Sequence, residues 1–211
     1  MATVTLVKSR ALDRLQQLGL TVSLVERAVR RADAEVAMCT ELDPPIMEGM
    51  TRWGKTSRFL REELIPRGWT YDNPRNLART IHPSGEFAIV ASTGDEMTGL
   101  TIPGSPPSTR YRKGDAMTRA VELNEQLAFD FGDGWSHQPE DALRTWILLF
   151  YVDEHEFRTE LSLPARITDG LITRWTERII LPPFPRALEP LFGDEDAYEP
   201  APAPVVEVTR R

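Results

Sequence analysis

The chain has 211 residues, 41% hydrophobic and 27% charged, with a net charge of −7 at neutral pH, which describes a globular chain with one core and excludes a disordered or fibrous one. The single cysteine, Cys39, excludes an internal disulfide and points to a reducing compartment. Residues 1–10 lack the apolar run of a signal peptide, and the longest apolar stretch, residues 146–152, is far short of the roughly 20 residues of a membrane helix, so the expected location is cytoplasmic with no membrane partner.

Residues 8–39 read as two helices, and residues 1–45 as an N-terminal helical hairpin. The first helix is apolar at Leu12, Leu15 and Leu18 and stops at Gly19, a residue that accepts the left-handed C-cap conformation. The second opens on the capping-box pattern Ser23 to Glu26 and carries Val25, Ala28, Val29, Ala32 and Val36 at helical spacing. Asp43-Pro44-Pro45 then breaks the chain. A third helix is predicted from about Arg52 to Leu64, with Trp53, Leu60 and Leu64 on a core-facing side and Arg52, Lys55, Arg58 and Arg61 opposite.

Strands begin after Gly85. Residues 87–91 form a short apolar run consistent with a buried strand. Glycines and prolines make residues 94–109 a loop, and a helix is predicted at about residues 116–127. Residues 146–152 read as a central strand, and residues 157–163 alternate apolar and polar, so the short gap between them predicts an antiparallel hairpin. Residues 178–181 supply one more strand. Residues 46–186 are thus the predicted α+β core, a small, mainly antiparallel sheet covered by helices. Residues 187–211 turn to Asp, Glu, Pro and Ala and are expected to be a disordered acidic tail.

Charge divides along the chain. Residues 1–120 hold 17 bases and 14 acids, a balance of +3; residues 121–211 hold 8 and 18, a balance of −10. From Arg52 to Arg79, seven bases stand against three acids, interleaved with Trp53, Phe59, Trp69 and Tyr71. Clustered cations attract phosphate and aromatic faces stack on bases, so this segment is the expected nucleic-acid surface. Arg52, Lys55, Arg58, Arg61 and Arg75 would meet phosphates while Trp69 and Tyr71 stack. Leu15, Gly19, Val25 and Ala28 also have the spacing of a helix-turn-helix, which the two helices resemble; Ser23, Arg27, Arg30 and Arg31 would then face a duplex.

Three further patterns bear on chemistry. Residues 49–56 match the phosphate-loop expression GxxxxGK[ST], but the preceding Asp43-Pro44-Pro45 leaves no room for the buried strand such a loop needs. Asp95 and Glu96 follow one buried strand, and Asp153, His155 and Glu156 follow the central one; converging, they would hold magnesium or manganese as a phosphodiester hydrolase does. Gln126 to Phe131 resembles the short peptide with which bacterial replication and repair proteins grip the sliding clamp. The reading is a non-catalytic nucleic-acid-binding accessory protein without a cofactor. Its alternatives are the metal-dependent nuclease and a protein-interaction module that meets a partner through its acidic tail or residues 126–131.

Overall fold

The computed structural model describes residues 2–129 and 143–186. Its elements in chain order are β1 (Val4–Leu6), α1 (Lys8–Gln17), α2 (Val22–Val36), α3 (Met47–Leu64), β2 (Thr70–Asp72), β3 (Arg79–Ile81), β4 (Phe87–Thr93), α4 (Asp115–Phe129), β5 (Arg144–Val152), β6 (Glu156–Thr168), β7 (Leu171–Ile180) and β8 (Phe184–Pro185). The strands join one eight-stranded sheet in the order β1-β7-β6-β5-β4-β3-β2, with β8 paired to β6. The fold is therefore α+β, but the sheet is mixed and larger than the small, mainly antiparallel one predicted. β4 and β5 are parallel, because the chain crosses back through α4 between them, and β1 adds in parallel to β7. The hairpin of β5 and β6 forms as predicted, with Val152 opposite Phe157.

Strand alternation builds two cores. Trp146, Leu148 and Phe150 of β5 face α1, α2 and α3, whereas Ile147 and Leu149 face α4 with Val90, Met117, Val121, Ile172 and Trp175. A strand covered on both faces must be apolar throughout, which is why residues 146–150 show no polar alternation.

The N-terminal helices differ from the predicted hairpin. Gly19 does end α1: at φ +73° it lets its own amide reach the Gln16 carbonyl and the Leu20 amide reach that of Leu15. The cap of α2 is Thr21, whose hydroxyl accepts from the Leu24 amide at 3.3 Å, so Ser23 lies inside the helix. α2 then packs along α3, and α1 lies on β7. The reason is electrostatic as well as apolar, since α2 and α3 run antiparallel and are joined by ion pairs along their length. No helix among the described residues is long and apolar enough to cross a membrane. The acidic tail, residues 187–211, lies outside the described residues.

Candidate functional site

The α2–α3 surface holds most of the predicted phosphate contacts, and acids occupy them there. Arg27 bonds Glu63 at 2.7 Å, Arg31 and Arg58 share Glu62, Arg52 bonds Asp33 at 2.8 Å, and Lys55 bonds Glu35 at 2.6 Å. The guanidinium bonds hold the carboxyls of Glu62 and Glu63 below the usual range. Arg30 bonds Glu26 and sits over the rings of Phe184 and Phe157. Arg61 donates to the Asp72 and Arg79 carbonyls and to Asn73, and lies over Tyr71. Arg61 thereby ties α3 to β2 and β3, and a recognition helix reading DNA through Arg27, Arg30 and Arg31 would have to break these pairs first.

The aromatic assignments exchange places. Trp69 is 3% exposed, set edge-on to Phe87 and His82, so it presents no face for stacking. Tyr71 is exposed. Trp53, predicted as core by its helical phase, is 39% exposed, because α3 runs past the edge of the sheet beneath it.

That edge makes the site. β3 pairs with β4 only at Thr80–Ile89 and Ile81–Ala88. Beyond it the Pro74–Asn76 turn leads the chain away, with Arg75 at φ 50° and ψ 40° and Asn76 at φ 64°. Left-handed backbone at two side-chain-bearing residues costs energy that surrounding structure must supply, and such strain gathers at binding sites. The outer edge of β4 is next engaged where Arg110 donates to the Thr93 carbonyl at 3.0 Å. Between the two, the Trp53 indole donates to the Ala91 carbonyl at 3.0 Å.

The gap is a cleft of about 620 Å³ floored by Val90, Ala91 and Ser92, with Trp53, the Arg75–Ala78 segment and Lys113–Met117 as walls. It continues, through the shared Arg75, Leu77 and Ala116, into a second cleft of about 180 Å³ that adds Arg79 and Arg119. Asp115 is the one acid among the described lining residues.

Lys113 stands out chemically. Burial pushes its ammonium down to about 8, and among the described residues no carboxylate lies within salt-bridge distance. Its position is fixed from outside the groove. The Lys113 amide donates to the Gly170 carbonyl at 2.7 Å, and Arg112 donates to the Asp169 carbonyl at 2.6 Å. Asp169 and Gly170, both at positive φ, form the two-residue turn between β6 and β7, so an Asp-Gly hairpin turn seats the lysine. Arg75 and Arg119 likewise have no ion-pair partner among the described residues, whereas Arg79 bonds Asp72. Of the predicted bases, Arg75 alone lies in the groove. Lys113 and Arg119 are not among the predicted contacts: Lys113 ends the short basic run Arg110-Tyr111-Arg112-Lys113, which was the available signal, whereas Arg119 belongs to no such run.

The predicted metal ligands do not assemble. Asp95 accepts from the Met97 and Ser108 amides and caps its own loop; burial raises its carboxyl despite those bonds. Asp153 accepts from the His155 and Glu156 amides, which lower it, while Glu156 meets Arg158 and Glu96 offers its carbonyl to Arg158. Among the described residues no three His, Cys, Asp or Glu side chains could hold an ion. Residues 49–56 are helical within α3, and Lys55 is spent on Glu35, so no phosphate loop forms. Leu127 of the clamp-like peptide is buried, and that peptide's end, from Asp130, lies outside the described residues. No protein-family model, curated protein or solved structure matches this chain.

Proposed function

We propose that this protein is a non-catalytic binding protein that holds a phosphate-bearing ligand in the groove between α4 and the 74–78 segment, and that the ligand class is single-stranded nucleic acid. One observation carries the reading: Arg75, Lys113 and Arg119 line one groove without acid partners among the described residues, while the bases of α2 and α3 are paired with acids, except Arg61, which is held by the Asp72 and Arg79 carbonyls and Asn73. A cation without a carboxylate keeps its whole attraction for phosphate, and a groove concentrates that attraction along a chain of phosphates. The half-exposed Trp53 ring at one end offers a surface for a base. This retains the anionic partner expected from the sequence and moves it from the α3 surface to the β4 edge.

Fluorescence titration of the full chain with a short single-stranded oligonucleotide tests it. Neutralising about three phosphates gives a log–log salt slope of about −2 on a single strand. Arg75→Ala and Arg119→Ala each lower affinity and flatten the slope, and Arg58→Ala, whose guanidinium is occupied by Glu62, leaves both unchanged. Equal losses in Arg58→Ala and Arg75→Ala, or no binding at low ionic strength, refute the groove. Binding of inorganic phosphate or a mononucleotide as tightly as the oligonucleotide would keep the groove and replace the ligand class.

A further inference from the structure

We propose that Lys113 is a covalent capture site, at which its side-chain amine condenses with the aldehyde of a ligand whose phosphate is held by Arg75 and Arg119. The inference rests on the groove reading for its phosphate anchors and adds a reactive group to the ligand. It starts from composition. Of the 25 bases in the chain only three are lysines, Lys8, Lys55 and Lys113, and all the others are arginines. Arginine grips phosphate through a rigid fork of donors and keeps its charge. The groove uses arginine at positions 75, 79 and 119, so a lysine at 113 contributes something that arginine lacks. That is an amine, which becomes a nucleophile once it gives up its proton.

The three lysines differ in their surroundings. Lys8 opens α1 at the exposed surface, and the Lys55 ammonium is occupied by the Glu35 carboxylate at 2.6 Å. Lys113 lines the groove together with the apolar Leu77, Val90, Ala91 and Met117. No carboxylate among the described residues lies within salt-bridge distance of it, and burial brings its ammonium down to about 8 from the ordinary 10.5. At pH 7.5 about a quarter of such an amine is neutral, against about one part in a thousand for a solvated lysine. Its place is set as well, because its amide is bonded to the Gly170 carbonyl at 2.7 Å. Arg75 and Arg119 remain to take phosphate, which leaves the Lys113 amine uncommitted.

An aldehyde is the electrophile that fits such an amine. The Nζ lone pair adds to the carbonyl carbon, the oxygen departs as water with the two amine protons, and a C=N bond replaces C=O. The step needs no oxidant, metal or further reactant. Two sources share this chemistry. An abasic site in a single strand opens to a sugar aldehyde between phosphates, and a small phosphorylated aldehyde carries its own phosphate.

The test incubates the full chain with an aldehyde and cyanoborohydride, which reduces an imine to a stable amine, and maps the adduct by peptide mass spectrometry. The probes are a single-stranded oligonucleotide containing an abasic site, pyridoxal 5′-phosphate, and pyridoxal without phosphate. Lys113 is expected to be trapped at least about tenfold faster than Lys8 and Lys55, which are references within the same molecule. A phosphorylated probe is expected to outpace pyridoxal at Lys113 by about tenfold or more, and the faster of the two phosphorylated probes identifies the source. Lys113→Arg keeps a cation in the groove and loses the adduct, whereas Lys55→Arg leaves it unchanged; if Lys113→Arg does not fold, the adduct map of the wild type decides alone. Titration with the undamaged oligonucleotide separates the two readings. Strand binding without a Lys113 adduct overturns this proposal and keeps the groove, while a Lys113 adduct of pyridoxal 5′-phosphate without strand binding keeps the capture site and refutes the single-strand ligand. Equal labelling of the three lysines, or equal trapping of pyridoxal with and without phosphate, also overturns the proposal.

Discussion

The Lys113 ammonium is half-buried with no carboxylate among the described residues beside it, so burial alone sets its pKa at about 8. The unfolded chain holds the same proton to the ordinary 10.5. Between those values the unfolded state binds more protons, so stability rises with pH over about 8 to 10.5, and below 8 the full desolvation cost burdens the fold. Lys113→Met is therefore expected to raise the melting temperature at pH 7 and to lose that advantage by pH 10, while oligonucleotide affinity falls. Thermal unfolding at the two pH values checks the sign; a gain equal at both would assign it to packing. In the wild type, affinity for an anion declines as pH climbs through 8, because the free ammonium gives up its proton there.

Elements are held by a few contacts of unequal value. Asp33 of α2 accepts from both Arg52 of α3 and Arg186 beyond β8, and its side chain is only 13% exposed. Asp33→Ala leaves two arginines without their acceptor and is expected to cost on the order of 1–3 kcal/mol in denaturant unfolding, whereas Arg58→Ala, exposed, stays within about 0.5 kcal/mol. The β6–β7 turn matters for a different reason. A Cβ at Gly170 would stand 2.9 Å from the Lys113 carbonyl oxygen and 3.1 Å from the Arg112 Cβ, at φ +77°. Gly170→Ala is expected to destabilise by about 1–3 kcal/mol and to weaken ligand binding as well, since it pushes on the segment that carries Lys113.

For the whole molecule, the buried pair Glu160–Arg178 ties the sheet to the loop between β4 and α4. Glu160 is 0% exposed and bonds Arg178 at 2.5 and 3.1 Å, the Ser162 hydroxyl, and the Gly99 amide at 3.0 Å, and Arg178 reaches the Leu100 carbonyl. Such a pair adds little over an apolar substitute, but removing one partner strands a buried charge. Glu160→Gln is expected to cost about 3–5 kcal/mol and to increase amide exchange around Gly99 and Leu100. An unfolding midpoint within error of the wild type would show that water reaches Arg178. Because that loop leads to Arg110 and Lys113, its loosening is also expected to weaken the groove.

Residue order alone determined α2, the C-terminal part of α3 and the β5–β6 hairpin, because a helix or strand covered on one face shows its burial as a period and a strand covered on both shows it as an apolar run. The count of charges also showed that the chain is net basic up to residue 120 and net acidic after it. Short strands were not legible: β1, β2 and β3 have three residues each, too few to show a period, and form only because neighbours complete their hydrogen bonds. Which bases remain free was a tertiary decision. Arg27 and Arg75 look alike in sequence, but the acid that neutralises Arg27 is 36 residues away and none of the described residues brings one to Arg75. Trp53 and Trp69 exchanged roles for the same kind of reason: helical phase says which side of α3 is apolar, and only the sheet's edge decides how far along that side there is anything to bury it against.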